Sequence, residues 1–399
     1  MRILQICHKP PLPSLDGGCR AMDAMTRGLL QAGHTVKVLT ACTEKHPWQP
    51  ELIDPSWLTT TNAEAVFIDT RLNKVDAFAS IVTGDSYNIS RFHSADLERA
   101  LTQILRTSVF DLILFESLFT APYLKTVGRY SDGLTILRAH NVEHRIWHHL
   151  AEETPQFTRK MYLNWLAEKL EKYEVSVLDD FDGIAGISVE DLVHFRELGC
   201  ELPMQLVPFG LDEDEWPEDT SGPANHVFHL GAMDWRPNQQ GVRWFVNRVW
   251  PLVRQRIPNA ELRLAGRNFM SSWAFPDNMG IRVLGEIESA WDMMTDSGIM
   301  VIPLLSGSGM RIKAIEALAA GRPIVTTPIG VEGIPAEDGK HVMIAATPEK
   351  FAACVVDLLE NPETARKMGS EGRKWAQEHF ENNRLIASMV SNFQEVFQV

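Results

Sequence analysis

Short apolar runs alternate with longer amphipathic segments through the first half of the chain. Each run precedes a segment that can form a helix or a loop, and the runs are RILQIC, TVKVLT, AVFIDT, DLILFE, TILRA and GIAGIS. Continuous apolar runs are typical of strands that are buried on both faces of a parallel sheet. The pattern therefore predicts one α/β sheet in this half.

The same alternation begins again after residues 211–226, a segment rich in Asp, Glu, Pro and Gly. The second set of apolar runs is HVFHLG, ELRLAG, IRVLG, GIMVIP, PIVTT and HVMIA. This repetition predicts an α/β fold of two Rossmann-like, doubly wound domains. We expect an N-terminal domain at residues 1–212 and a C-terminal domain at residues 213–380. Ligands of such sheets bind beyond the carboxyl ends of the strands, so we expect the site in a cleft between the domains.

Composition and charge narrow the class of protein. The chain has 399 residues, 45% of them hydrophobic, and a formal net charge of −14. A nucleic-acid surface would need clustered Lys and Arg, so we expect no nucleic-acid partner. The five cysteines are scattered without CxxC spacing, which favours reduced thiols over a disulfide or zinc framework. Because no apolar run is long enough to span a membrane, the sequence predicts a cytoplasmic protein.

One strand–loop–helix segment carries the clearest chemistry. The run GIMVIP leads into LLSGSG, whose small residues permit tight turns, and then into a predicted helix that ends at Gly321. The side chains that this helix is predicted to bury are Ile312, Ile315, Leu318 and Ala319.

Two cations, Arg311 and Lys313, stand at the start of that helix. Cations there oppose the helix macrodipole, a cost that a bound phosphate would offset. The alternative is a surface salt bridge between Lys313 and Glu316, three residues apart. That alternative does not account for Arg311 or for the Ser-Gly loop, so we predict an anion site.

Two other loops follow predicted strands. Gly17 and Gly18 precede a helix, where glycines let a phosphate approach the backbone N–H groups, although the pair taken alone favours a plain turn. His140 stands at the carboxyl end of the strand TILRA, where α/β active sites lie. Position alone leaves His140 open to a structural or a functional interpretation.

The run SGSGMRIKAIEALAAGRPIVTTPIGVEGI resembles the donor-binding signature of family 4 retaining glycosyltransferases (glycosyl transferases group 1), which have the GT-B fold. Other pieces match in order: GG after the first strand, HN after a middle strand, VPFGLD, HLGAMDWRPN, LAG and VLGEI. The resemblance implies an enzyme that moves a sugar from a nucleotide sugar to an acceptor hydroxyl with retention. It also implies that residues 381–399 form a helix that crosses back to the first domain.

The resemblance assigns roles in the C-terminal domain. Glu316 matches the second glutamate of the family's E-x7-E motif, which binds the ribose hydroxyls. Ser308 stands in place of the first glutamate, so Ser308 and the N–H groups of Gly309 and Met310 are expected to contact the donor. The backbone of Val283 and Leu284 falls where the family reads the base.

Further roles follow from the same resemblance. Ala232 replaces an arginine that the family uses for the diphosphate, which leaves Arg311, Lys313 and Arg236 as the available cations. His140 matches a histidine that lies close to the transferred sugar. Gly18, beside Gly17, matches a glycine whose N–H faces the phosphate.

Three functions are compatible with these residues. The first is a metal-independent hexosyltransferase in polysaccharide or glycan synthesis, with a nucleotide sugar as substrate, a sugar or lipid-linked glycan as acceptor, and no cofactor. The second is a nucleotide-sugar epimerase of the same fold, and the third is an inactive nucleotide-sugar-binding protein. Residues 212–214, DED, imitate a metal-binding DxD but lie in the linker, so we expect a solvated loop and no metal.

A weak peripheral association with a membrane is the expectation that the sequence supports least. The helical segment at residues 152–178 places several apolar and basic side chains close together. Packing against the sheet is the alternative, and the acidic net charge favours it. The side chains in question are Met161, Trp165, Leu166, Lys169 and Lys172.

Overall fold

The structure is a computed structural model, and the chain divides into two compact units. The first comprises Met1–Gly210 with Asn382–Val399, and the second comprises Leu211–Glu381. The residues described are 1–71, 86–218, 226–269, 273, 275–296, 298–307 and 309–397. Ser308, one of the predicted donor-binding residues, lies outside them.

The first unit contains a seven-stranded parallel sheet with the order β3-β2-β1-β4-β5-β6-β7. Its strands are β1 Arg2–Cys7, β2 Thr35–Cys42, β3 Glu64–Phe67, β4 Leu112–Glu116, β5 Leu134–Ala139, β6 Gly183–Gly186 and β7 Met204–Leu206. Strands β1, β4, β5 and β6 are central and almost wholly buried, as their continuous apolar runs predict.

Helices connect these strands. They are α1 Gly17–Gln31, α2 Pro55–Thr61, α3 Tyr87–Ser90, α4 Ala95–Thr107, α5 Leu124–Tyr130, α6 Glu143–Glu152, α7 Phe157–Leu178 and α8 Val189–Glu197, with short 3-10 turns at Pro50–Leu52 and Leu118–Tyr123. Core residues on both faces of the sheet pack against these helices. The first unit is therefore doubly wound.

The second unit contains a six-stranded parallel sheet with the order β10-β9-β8-β11-β12-β13. Its strands are β8 Val227–Leu230, β9 Leu262–Ala265, β10 Ile281–Gly285, β11 Ile299–Ile302, β12 Ile324–Thr326 and β13 Met343–Ile344. Its helices are α9 Arg236–Trp244, α10 Trp250–Arg256, α11 Ala290–Thr295, α12 Ile312–Ala319, α13 Pro348–Glu360 and α14 Pro362–Phe380, and a π-helical segment, Phe245–Val249, joins α9 to α10. The two sheets confirm the predicted α/β class.

The last helix, α15 Asn382–Phe397, belongs to the first unit and packs against α1. A Cβ atom at Gly28 of α1 would lie 2.6 Å from Ile386 Cγ1 and 2.7 Å from Asn382 Nδ2. Asn382 Nδ2 also donates a hydrogen bond of 2.7 Å to Ala24 O. The close approach of the two helices therefore depends on a glycine.

The segment predicted to be a solvated loop begins with an ordered turn. Asp212 is fully buried and forms a capping box with the short helix Glu213–Glu215, in which Glu215 Oε2 accepts the Asp212 N–H at 3.1 Å. Arg373 Nη2 donates to Pro217 O at 2.5 Å. The expectation of a solvated Asp212 is therefore wrong, because its carboxylate is buried and accepts the backbone N–H of Glu215.

Within the described residues, no helix is both long enough and apolar enough to cross a lipid bilayer.

Candidate functional site

The loop between β11 and α12 brings two cations to the carboxyl edge of the second sheet. Arg311 occupies the N-cap position of α12, and Lys313 is the second residue of the helix. Gly307 and Gly309 both have positive φ values, +114° and +79°, which other residues rarely adopt. A Cβ atom at Gly307 would lie 3.2 Å from both Arg311 Nη2 and the Trp235 ring. The loop therefore needs this glycine in order to pass the two side chains.

The Arg311 guanidinium is buried and lies over the face of Trp235, with 5.6 Å from Cζ to the ring centroid. Its Nη2 is 3.8 Å from Glu332 Oε2. Burial lowers the pKa of Arg311, and the Glu332 carboxylate acts in the opposite direction. A guanidinium stays protonated at neutral pH, so Arg311 places a positive charge at the start of α12.

Lys313 Nζ turns toward the end of β8 and the first turns of α9. It donates to Leu230 O at 3.1 Å and to Asn238 Oδ1 at 2.9 Å. Burial, together with the charge of Arg311, lowers the pKa of Lys313 to about 7. Since Glu316 is also buried, an exposed surface salt bridge does not describe this pair of residues.

Three glycines line the carboxyl ends of the neighbouring strands. Gly231 follows β8 and lies close to Lys313, because a Cβ atom there would be 2.9 Å from Nζ. Gly231 N–H donates to Ala265 O at 3.0 Å, and Gly266 N–H donates to Gly285 O at 2.8 Å. A Cβ atom at Gly266 would lie 2.1 Å from Gly231 O, so glycine is needed for the close approach of these two strand ends.

The remaining predicted residues of this unit flank the same edge. Gly309 and Met310 immediately precede Arg311, and Arg236 is the exposed first residue of α9, next to Trp235. The predicted base-reading residues are exposed on β10, the edge strand that ends at Gly285. These are Val283 and Leu284.

The first unit has a second polar cluster, at the carboxyl ends of β4 and β5. Glu116, the last residue of β4, is fully buried. Its carboxylate accepts hydrogen bonds from His140 Nε2 at 2.6 Å and from Gln5 Nε2 at 2.8 Å, and Arg138 Nη1 lies 3.4 Å away. His8 Nδ1 donates to the Glu116 main-chain oxygen at 2.9 Å. Sequence reasoning found His140 but missed these partners.

The charges of this cluster assign the histidine tautomer. Burial acts to raise the pKa of Glu116, but the Arg138 charge and the hydrogen bond from His140 outweigh it and leave the pKa below its usual value. Burial lowers the pKa of His140. An ionised carboxylate only accepts, so a neutral His140 carries its proton on Nε2 and keeps a lone pair on Nδ1. That nitrogen can accept a hydrogen bond from a hydroxyl.

A third cluster surrounds the start of α1, where Gly17 and Gly18 are the first two helical residues. Asp16 caps the helix through Cys19 N–H at 3.0 Å, and its carboxylate is 2.7 Å from Lys9 Nζ and 3.0 Å from His46 Nε2. A Cβ atom at Gly18 would lie 2.8 Å from Lys9 Nζ, so Lys9 covers this helix terminus.

The same cluster contains one group of possible metal ligands among the described residues. The ligand atoms of Asp16, Cys19 and His46 all lie within 4.8 Å of one another. The chemistry of the group opposes that use. Lys9 already neutralises the carboxylate, and burial raises the pKa of Cys19 to about 11, which disfavours the thiolate that a metal needs.

Two doubly wound units, with a basic helix start and a glycine-lined strand edge in the second, are characteristic of the GT-B fold. Residues 224–361 match the family model for glycosyl transferases group 1. The matched region lies within the second unit and includes the helix start at Arg311 and Lys313.

Individual proteins resemble this chain in sequence or in fold. An uncharacterized 44.6 kDa protein in the cps region of Klebsiella pneumoniae is 24% identical over 306 residues, 72% of this chain and 76% of that protein. HepE of Anabaena in complex with UDP has a TM-score of 0.68 at 12% identity and covers 99% of this chain and 100% of its own. Sucrose-phosphate synthase of Thermosynechococcus elongatus has a TM-score of 0.72 at 13% identity, with full coverage of both chains.

Proposed function

We propose that this glycosyltransferase transfers a hexose from a uridine diphosphate sugar to an acceptor hydroxyl, with retention, during the synthesis of a cell-surface polysaccharide. The observation that carries the proposal is the pair of cations at the start of α12, with the buried carboxylate of Glu316 one turn further on. The UDP in the HepE complex and the cps region of the Klebsiella relative support the donor and the pathway class.

The proposed chemistry needs positive charge where the leaving group develops. When the bond between the sugar and the diphosphate breaks, negative charge grows on the β-phosphate, and preorganised cations lower that barrier. Arg311 and Lys313 supply this charge, with the N–H groups of Gly309 and Met310 beside them. We propose that the reaction uses no metal, because these two side chains perform the electrostatic role that a divalent cation would otherwise take.

The rest of the donor is bound along the same sheet edge. Glu316 accepts hydrogen bonds from the two ribose hydroxyls, for which a carboxylate has enough lone pairs. The exposed end of β10, Val283–Leu284, offers main-chain groups to the base. Arg236, the first residue of α9, is the third proposed cation for the diphosphate.

In the first unit, His140 Nδ1 accepts a hydrogen bond from a hydroxyl of the transferred sugar, and Glu116 holds the imidazole in that tautomer. Attack of the acceptor on the same face as the departing diphosphate gives retention. The acceptor is a sugar or a lipid-linked glycan, and the proposed location of the enzyme is the cytoplasm, where nucleotide sugars would reach it.

A donor panel tests the function. The purified chain is incubated with UDP, GDP and ADP sugars, with and without short oligosaccharide acceptors and EDTA. Acceptor-dependent loss of a UDP-hexose that survives EDTA supports the proposal, and product anomers identified by NMR test retention. Formation of an epimer without acceptor would indicate the epimerase, and binding without turnover would indicate an inactive sugar-binding protein.

A pair of variants connects turnover to the site. Lys313→Met removes the cation at the start of α12, whereas Lys340→Met removes an exposed lysine of the same unit that pairs with Glu337. Turnover should fall strongly in the first variant and stay at the wild-type level in the second.

A further inference from the structure

Histidines and carboxylates of three helices meet in a part of the first unit that the proposed reaction does not use. His144 on α6 and His194 on α8 point their Nε2 atoms at each other, with 3.2 Å between the two nitrogens. Their ring centroids are 5.3 Å apart. His144 is buried and His194 is half-buried. The two imidazoles therefore converge on one point from separate helices.

Each of these imidazoles has a carboxylate on its other side. His144 Nδ1 lies 2.6 Å from Glu174 Oε2 on α7, and His194 Nδ1 lies 3.4 Å from Glu197 Oε2. An ionised carboxylate only accepts hydrogen bonds, so each neutral imidazole carries its proton on Nδ1 and a lone pair on Nε2. Two lone pairs that face each other repel. A cation between the rings, either a proton or a metal ion, removes that repulsion.

The geometry of the pair fits a metal ion. A tetrahedral ion with metal–nitrogen distances of about 2.0–2.1 Å holds two ligand nitrogens about 3.3–3.4 Å apart. The Nε2 atoms of His144 and His194 already have nearly this separation. A carboxylate that accepts the other N–H of a histidine ligand, as Glu174 does for His144, is the usual partner in metal sites. The pair therefore accepts an ion with little movement.

A third histidine lies beside the pair. His148 is one turn further along α6 than His144, and the centroids of the two rings are 6.1 Å apart. Two histidines four residues apart on one helical face are the spacing that helical zinc sites use. The His148 side chain is 37% exposed, and its Nε2 is 3.6 Å from Glu171 Oε2. A shared proton would involve only two rings, whereas a metal ion can use all three.

Packing around the histidines holds the helices in place. Glu174 also accepts the main-chain N–H groups of Glu143 and His144, at 3.1 and 3.3 Å, which fixes the start of α6 on α7. Leu166 of α7 belongs to a small buried core with Ala151 of α6. The expectation that Leu166 faces lipid is therefore wrong, because this side chain joins the two helices.

We propose that His144, His148 and His194 bind a divalent transition-metal ion of the zinc class. Imidazole nitrogens suit Zn²⁺, Ni²⁺ and Cu²⁺, whereas Mg²⁺ and Ca²⁺ take oxygen ligands. The His148 side chain rotates away from Glu171 when the ion binds, and water takes the fourth position. The ion joins α6 to α8 and stabilises the first unit. Its binding requires neither donor nor sugar transfer, so the proposal stands apart from the proposed function.

Calorimetric titration of the full chain with Zn²⁺ tests the proposal, in protein purified without a histidine tag and freed of metal by a chelator. We expect one ion per chain at this site. His194→Ala and His148→Ala should each weaken Zn²⁺ binding by about tenfold or more, and so should Glu174→Gln, which weakens the partner of His144. The matched control is His149→Ala, which removes an exposed histidine of the same helix and should leave the affinity unchanged.

Two further measurements separate a metal ligand from a structural histidine. Zn²⁺ should raise the urea midpoint of the wild type but not that of His194→Ala, since an ion that binds only the folded chain stabilises it. Co²⁺ bound to the wild type should give the strong visible absorption of a four-coordinate ion, which His148→Ala should lose. Because His148 is partly exposed, its variant keeps the test valid if the His194 variant does not fold.

Three results would overturn the proposal. The first is a wild-type chain that does not bind Zn²⁺, in which case the two imidazoles share a proton. The second is equal Zn²⁺ affinity in the His148, His194 and His149 variants. The third is binding that His46→Ala abolishes and His194→Ala leaves intact, which would place the ion beside Asp16. UDP titrations are made separately, so a failure of UDP binding counts against the donor site alone.

Discussion

Binding of a nucleotide sugar should take up a proton at Lys313. In the unliganded chain, burial and the neighbouring Arg311 lower the pKa of this lysine to about 7. Its two hydrogen-bond acceptors, Leu230 O and Asn238 Oδ1, carry no formal charge. A diphosphate beside Nζ favours the charged form and raises the pKa. Affinity is therefore highest at low pH and falls as the pH rises through the pKa of the unliganded state.

The size of the proton uptake and of the change in affinity follows from the pKa of Lys313 in the unliganded chain. About half of the Lys313 side chains are unprotonated at pH 7 and about nine tenths at pH 8, so proton uptake per bound donor should be about 0.5 and about 0.9. The dissociation constant should rise about tenfold between pH 6 and pH 8. His229, whose pKa burial and the Lys313 charge lower to about 3, does not titrate in this range.

Calorimetry in buffers of different ionisation enthalpy measures the affinity and the proton uptake together. UDP-glucose is the ligand of choice because its diphosphate diester does not titrate between pH 6 and pH 8. Lys313→Met should bind weakly and with little dependence on pH. A wild-type dissociation constant that stays constant from pH 6 to pH 8, without proton uptake, would refute the assignment of Lys313 to the diphosphate site.

Three further predictions concern other parts of the molecule. Glu116→Gln removes the charge that orients His140, so turnover should fall by about tenfold to a hundredfold while UDP affinity in calorimetry stays unchanged; weaker UDP binding would contradict it. Arg311→Ala should lower kcat more than it weakens UDP-sugar binding, because its charge acts most on the departing diphosphate, and steady-state kinetics that show only a higher KM would oppose this role. Gly28→Ala should lower the free energy of unfolding by about 1–3 kcal/mol in urea titrations, whereas Gly128→Ala, with open space around its Cβ, should not destabilise the chain.

Most of the fold could be predicted because its signals are local. Each buried strand is a continuous apolar run in the sequence. The end of α12 is marked by Gly321, whose φ is +67°. Strand β7 was missed, because Met204–Leu206 is a short, partly exposed strand at the sheet edge and carries little hydrophobic pattern.

The site was predicted only in part, because some of its contacts join residues that are far apart in the sequence. The helix start that carries Arg311 is contiguous in sequence, so the conflict between its charge and the helix dipole is visible there. Glu116 ends an apolar run, whereas its partner Gln5 lies on another strand and its partner His140 directly follows a third. The orientation of Lys313 toward β8 likewise depends on strand packing that local sequence does not encode. A carboxylate that ends a buried strand was the available signal for Glu116.

The central claim is that Glu316 and the cations at the start of α12 form one nucleotide-diphosphate site. Titration calorimetry of Glu316→Ala with UDP tests it most directly, beside Glu349→Ala, which removes an exposed carboxylate from the first turn of α13. Two hydrogen bonds to a charged acceptor, at about 1.5–3 kcal/mol each, predict a loss of affinity of about a hundredfold or more. The Glu349 variant should bind like the wild type. Wild-type UDP affinity in a folded Glu316→Ala chain would contradict the account.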